Sequence, residues 1–83
     1  MNDDRRNSIR TALALIKQAG SIIEDAYLEE ESAYDSLPEN LRGSPQGQQA
    51  EYAVKALELA TEAVEELKSQ LEDACAAGAS AQP

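Results

Sequence analysis

The chain has 83 residues, with 16 acidic and seven basic side chains, a net charge of −9, no His, Trp or Phe, and one Cys. This length allows one domain, and the composition excludes an internal disulfide and a zinc site built from the usual Cys and His ligands. The negative charge argues against direct binding of nucleic acid or of an anionic membrane surface.

The first predicted element is a helix from about residue 5 to residue 36. Nine positions advance by alternating steps of four and three, which places them on one stripe of a helix; we call this stripe the seam. A row of alanines and the pair Leu15 and Ile22 widen this apolar stripe. The seam comprises Ile9, Leu13, Ile16, Gly20, Ile23, Tyr27, Glu30, Tyr34 and Leu37, and the alanine row comprises Ala12, Ala19, Ala26 and Ala33.

A turn is predicted over residues 37–44, with room for one short helical turn. Pro38 forces the residue before it out of helical geometry, and Gly43 would allow a positive φ. Ser44 and Pro45 together are typical of an N-cap followed by the first residue of a new helix.

The second predicted helix runs from about residue 45 to residue 77. Its seam repeats the same spacing, and Gly78 is expected to cap its C-terminus. Residues 79–83 are expected to form a disordered tail. The seam positions are Ala50, Ala53, Leu57, Ala60, Val64, Leu67, Leu71 and Ala74.

These elements predict an all-α fold: an antiparallel helical hairpin over residues 1–78 with coiled-coil packing, in which Gly20 lies near Val64. So small a chain needs a stabilising cross-link, a bound metal or a partner chain. Two hairpins that form a four-helix bundle would cover the remaining apolar surface. We therefore expect a homodimer with an interface at Leu15, Ile22, Ala56, Leu59 and Ala63.

Glu30 is the one charged residue on the first seam, and a lone buried carboxylate is costly. It could reach water near the end of the hairpin, pair with Lys55 or Arg42, or contact a partner. The tyrosines could pack in the core or form a recognition patch. The candidate partner-binding residues are Glu30, Tyr34, Leu37, Pro38, Glu39, Asn40, Leu41, Arg42 and Tyr52.

The remaining acidic residues allow several interpretations. Carboxylates one turn apart, such as Glu31 with Asp35 or Glu58 with Glu62, could hold Mg²⁺ or Ca²⁺, in loose similarity to the all-α nucleotide pyrophosphohydrolases. They could also imitate nucleic-acid phosphates, or form a solvated helix face. Cys75 has no His to activate it, so no catalytic residue, metal ligand or cofactor is predicted.

The turn carries a resemblance to known proteins. The run Glu29–Leu41, which contains Leu37-Pro38-Glu39-Asn40-Leu41, with Ser44, Gly47, residues 51–54 and residues 57–60, resembles small uncharacterised helical-hairpin proteins of phages, prophages and mobile elements. The resemblance covers about half of the chain and implies a hairpin without catalytic residues.

We therefore expect a non-enzymatic, cytoplasmic protein-interaction or inhibitor module with a protein partner, and the resemblance implies an accessory factor of the anti-defence type. No apolar stretch is long enough to span a bilayer, so no membrane association is expected. The alternatives are an acidic nucleic-acid mimic, a ligand-sequestering oligomer and a carboxylate-metal hydrolase.

Overall fold

The protein is a helical hairpin. The computed structural model describes the backbone of residues 2–80 and the side chains of residues 2–77. In this part of the chain there are three helices and no strand: α1 at Asp3–Asp35, α2 at Glu39–Arg42 and α3 at Pro45–Ser80. Helices α1 and α3 pack against each other in a rod of 64 × 16 × 14 Å. The predicted all-helical hairpin is confirmed.

Helix α1 starts at a side-chain cap. The Asn2 carboxamide oxygen accepts a hydrogen bond from the Arg5 backbone N–H at 2.8 Å, which satisfies one of the unpaired donors at a helix start. Asp3 and Asp4 lie in the first turn, where the helix dipole favours negative charge. The helix therefore begins two residues before the predicted start at residue 5.

The connection contains the short helical turn that the sequence allowed. The Ser44 hydroxyl accepts from the Gly47 backbone N–H at 3.2 Å and donates to the Leu41 carbonyl, so it caps α3 and holds the end of α2. The N-cap prediction is confirmed. Gly43 has a φ of −85°, so the connection does not use the positive φ that a glycine allows.

Helix α3 runs through Gly78 to Ser80, three residues beyond the predicted end at Ala77. The expected cap at Gly78 is wrong, because a glycine costs a helix only about 1 kcal/mol and does not by itself end it. Ala79 and Ser80 of the predicted tail are therefore helical, and residues 81–83 lie outside the described residues.

The two seams meet as the spacing predicted. All nine positions of the first seam, eight on α1 and Leu37 after it, are half-buried, and so are seven of the eight on α3; the exception is Leu67, which is 42% exposed. A Cβ placed on Gly20 would lie 3.0 Å from Val64 Cγ1, so these residues face each other in one layer. The predicted pairing of Gly20 with Val64 is confirmed.

A single hairpin leaves the seam incompletely covered. Among the described side chains no hydrophobic residue is buried, and the one buried polar side chain is Arg6, which pairs with Asp3 at 2.9 Å. The accessible surface is 5923 Å². A compact monomer of 8.9 kDa exposes about 4,800 Å². The chain thus exposes roughly 1,100 Å² more than a compact fold of its mass.

Candidate functional site

One side of the hairpin exposes large apolar side chains. Leu15 is 61% exposed, Ile22 69% and Leu59 65%, and the neighbouring Ala56 and Ala63 are exposed as well. These five residues are the predicted oligomer interface, and each is accessible in the single chain. We call the uncharged surface that contains them the apolar face: Ala12, Leu15, Ala19, Ile22 and Ala26 on α1, and Tyr52, Ala56, Leu59 and Ala63 on α3.

The two rows of the apolar face lie on the same side of the hairpin. At its closed end, Ala33 continues the α1 row by a step of seven from Ala26, and Gln49 continues the α3 row by a step of three from Tyr52. Both residues line one groove between the helices. The rows are therefore neighbours across the hairpin and form one continuous surface.

The groove at the closed end, which we call the tip groove, has a volume of about 280 Å³. Glu30 lines it and is half-buried, yet within the described residues its carboxylate has neither an ion pair nor a hydrogen bond. The groove is formed by Glu30, Ala33, Leu37, Gln46, Gln49 and Ala50. Among the residues that the structure describes, this acidic side chain thus lies without a partner at one end of the apolar face.

The partners expected for Glu30 are engaged elsewhere. Lys55 pairs with Glu51 at 3.3 Å, one turn away on the same helix. Arg42 stacks over the Tyr34 ring, 5.7 Å from its centroid, and donates to the Asp35 carbonyl at 3.1 Å. Of the alternatives open for Glu30, pairing with Lys55 or Arg42 is therefore not found among the described residues.

The tip, defined as residues 37–44, is largely exposed. Leu37 is half-buried, whereas the four residues after it are accessible to solvent. Tyr34 lies beneath Arg42 and is half-buried, and Tyr52 is exposed on the apolar face beside the tip. The predicted partner-binding residues form two groups: Tyr34 with Pro38, Glu39, Asn40, Leu41 and Arg42 at the tip, and Glu30, Leu37 and Tyr52 near the tip groove.

The opposite side of the hairpin is acidic. Tyr27, from the seam, donates a hydrogen bond to Glu31 Oε2 at 2.9 Å. This bond raises the pKa of Tyr27 above its usual value of 10.0, and the charges of Glu58 and Glu62 add to the effect. Glu58 and Glu62 of α3 therefore lie on the same side of the hairpin as the Tyr27 hydroxyl. We call this side the charged face: Glu24, Leu28, Glu31 and Asp35 on α1, and Glu58, Glu62, Glu65 and Glu72 on α3.

We expect Glu31→Gln to lower the pKa of Tyr27, because the substitution removes the charged acceptor of its hydroxyl proton. The measurement is an alkaline absorbance titration in a Tyr34→Phe/Tyr52→Phe background, which leaves one tyrosine. A raised pKa in the folded chain stabilises it below pH 10, and this contribution is lost as the pH rises through the folded-state pKa. Glu24→Gln is the control, and an equal shift in both variants would contradict the hydrogen bond.

The acidic residues do not gather into a metal-binding cluster. Within the described part of the chain, no three Asp, Glu or Cys side chains lie together in an arrangement that could hold a metal ion. The pairs Glu31 with Asp35 and Glu58 with Glu62 stay on their own helices, and Cys75 is half-buried with a free thiol.

No protein-family model matches the chain, and no curated protein or solved structure is similar to it. None of the described helices is long and apolar enough to cross a lipid bilayer.

Two features of the site were missed from the sequence. Gly47 is buried against the end of α2, whereas Gly43 is exposed. The spacing of residues in the sequence does not reveal this difference between the two glycines. A second groove lies at the open end of the hairpin, lined by Asp4, Arg5, Ser8 and Ile9. Arg5 lies one step of three before Ser8 and seven before Ala12, so it could have been placed at the end of the α1 row.

Proposed function

We propose that the protein is a non-enzymatic interaction module that dimerises through the apolar face and binds a protein partner with its tip. The observation that carries the proposal is an exposed apolar face on a chain whose described side chains include no buried hydrophobic residue. The excess surface of roughly 1,100 Å² per copy exceeds the about 800 Å² that each partner of a standard interface buries.

A second copy suits the apolar face better than a charged partner does. The face has no ionisable group except the Tyr52 hydroxyl, so it offers no counter-charge to an acidic or a basic surface. In a face-to-face dimer, the charged faces of both copies point outward into water. The strong net charge is then kept away from the interface, where it would be costly to bury.

The tip supports the second part of the proposal. Leu41 is an exposed hydrophobic residue on a short helix that Ser44 and Arg42 hold in place. The half of the hairpin around it, residues 21–64, has ten acidic and two basic residues, a net charge of −8. A partner with a basic surface and a small apolar pocket is the chemistry that fits.

The narrower proposal of a phage or mobile-element accessory factor of the anti-defence type rests on the resemblance of the turn motif alone. The test of an interaction module is therefore biochemical. We expect the tagged protein to capture a basic protein from cell extract, and the substitution Leu41→Ala to reduce that capture at least tenfold without loss of helix content.

Leu28→Ala is the matched control, since it also truncates an exposed leucine but lies on the charged face away from the tip. Light scattering after size exclusion reports the oligomeric state of each variant. Capture that is unchanged by Leu41→Ala would refute the tip as the contact surface. A monomer at micromolar concentration would refute dimerisation.

A nucleic-acid mimic is the second candidate, and the charged face favours it. Glu31 of α1 and Glu58 and Glu62 of α3 all lie close enough to Tyr27 to raise its pKa. If this face is the contact surface, duplex DNA competes with the protein for its basic partner, and binding weakens steeply with salt. Replacing Glu58 and Glu65 by Gln would then reduce capture more than Leu41→Ala does.

A further inference from the structure

We infer that the tip groove binds an arginine side chain of the protein partner, with the Glu30 carboxylate as its counter-charge. The inference rests on the proposed function and adds the chemical group that the partner supplies. It joins two observations: an acidic side chain that lacks a partner within the described residues, and a groove at the same end of the hairpin as the exposed Leu41.

The size of the tip groove suits a single side chain. Its volume of about 280 Å³ lies below the range of about 300–1,000 Å³ that pockets for drug-sized ligands occupy. The groove therefore cannot enclose a nucleotide or a cofactor, whereas one extended side chain can lie along it. Ala33, Leu37 and Ala50 supply an apolar wall, which suits the methylene stem of an arginine or a lysine.

The charge of the groove selects a cation. Glu30 is half-buried, and its carboxylate is the one ionisable group among the residues that line the groove. The surrounding half of the hairpin, residues 21–64, has a net charge of −8, which attracts a basic partner and disfavours an anionic one. Arg42 and Lys55 are engaged with Tyr34 and Glu51, so neither occupies the groove.

Two glutamines distinguish arginine from lysine. Gln46 and Gln49 line the groove from the first two turns of α3, and within the described residues neither side chain makes a hydrogen bond. A guanidinium has five N–H donors in one plane, so it can donate two to the carboxylate and still reach a carboxamide oxygen. It is also less strongly hydrated than an ammonium group, which lowers the cost of entering a half-buried groove.

One partner can reach both the groove and Leu41. Leu37 lines the groove, and Leu41 follows four residues later on α2. Their Cα atoms are therefore at most about 15 Å apart, because consecutive Cα atoms are about 3.8 Å apart. A standard interface covers about 800 Å² of each protein, which spans this distance. The partner's basic surface can thus place its apolar pocket over Leu41 and an arginine in the groove.

Titration with capped arginine, N-acetyl-arginine methylamide, tests the site before any partner is identified. Two-dimensional NMR at constant ionic strength follows the side-chain amide resonances of Gln46 and Gln49. We expect a saturable shift with a dissociation constant of about 1–10 mM, weaker binding of the capped lysine, and none of the neutral capped citrulline. The absence of a saturable shift up to about 100 mM overturns the inference, and so does equal binding of the capped lysine.

Three substitutions separate the groove from the general charge of the protein. Glu30→Gln removes the counter-charge and is expected to weaken the binding of capped arginine about fivefold or more. Glu24→Gln is the matched control, because it removes the same charge from the same half of the hairpin but lies on the charged face. Ala33→Leu fills the groove from an exposed position and should weaken binding although Glu30 remains. Equal effects of Glu30→Gln and Glu24→Gln overturn the inference.

The capture experiment separates this inference from the proposed function. We expect Glu30→Gln to reduce capture of the basic partner about tenfold, as Leu41→Ala does, and Glu24→Gln to leave it nearly unchanged. Capture that needs Leu41 but not Glu30 would overturn the arginine site and leave the tip contact standing. A groove that binds capped arginine, in a protein that captures no partner, would overturn the proposed function and leave the arginine site standing.

Discussion

The substitution Ile22→Glu is expected to convert the protein from a dimer to a monomer. Ile22 is 69% exposed in one hairpin, and in the proposed dimer its side chain is buried against the apolar face of the second copy. Burial of an isoleucine contributes about 2 kcal/mol, and the side chain occurs twice in the dimer. We therefore expect the dissociation constant to rise about 1,000-fold, before any cost of placing a carboxylate at the interface. Sedimentation equilibrium over a concentration series measures it.

Leu28→Glu is the control for this prediction. It adds the same charge to the same helix, but Leu28 lies on the charged face between Glu24 and Glu31. Leu28 is 50% exposed, so the single chain covers it more than it covers Ile22. If contacts within one hairpin decided the outcome, Leu28→Glu would be the more damaging change. Equal dissociation of both variants would count against the apolar face as the interface.

Helix content provides a second readout of the Ile22 substitution. Since the described hairpin has no buried hydrophobic residue, little within one copy offsets the conformational entropy that folding removes. We expect Ile22→Glu to lower the circular dichroism signal at 222 nm and to lower the melting temperature at a fixed chain concentration.

The periodic part of the fold was predictable from the sequence. Steps of three and four identify the stripe that each helix buries, and the turn between Leu37 and Ser44 fixes how two such stripes align. The contact between Gly20 and Val64 follows from these two facts alone. Leu67 shows the limit: the seam pattern places it correctly on the helix, but it cannot tell how much α1 covers it there.

The features that depend on single contacts could not be predicted. Glycine is permissive in several ways, so its presence does not say which property the fold uses. Gly43 takes an ordinary right-handed conformation, and Gly78 lies within a helix. The sequence offers two cationic partners for Glu30, Arg42 and Lys55. In the structure, however, Arg42 stacks on Tyr34 and Lys55 pairs with Glu51. Competition among local partners decides such pairs, and spacing does not reveal it.

Gly47→Ala is expected to destabilise the tip strongly, because a side chain at this position has no room. A Cβ there would overlap the carbonyl oxygens of Leu41 and Arg42 and would lie 2.6 Å from the Arg42 carbonyl carbon. These are backbone atoms, so α2 would have to move away from α3. Overpacking of this kind costs about 1–3 kcal/mol or more, and we expect a loss of about 3 kcal/mol. Thermal unfolding at a fixed chain concentration measures it.

Gly43→Ala, four residues earlier, isolates the steric effect. No atom lies within 4 Å of its added Cβ, and its φ of −85° suits an L residue. The substitution should stabilise the protein by about 0.5 kcal/mol, since it reduces the freedom of the unfolded chain. The two alanine substitutions are therefore expected to change the free energy of unfolding in opposite directions. If Gly47→Ala also stabilised the protein, α2 would not pack against α3 at Gly47, and the tip would lose the fixed shape that the proposed partner requires.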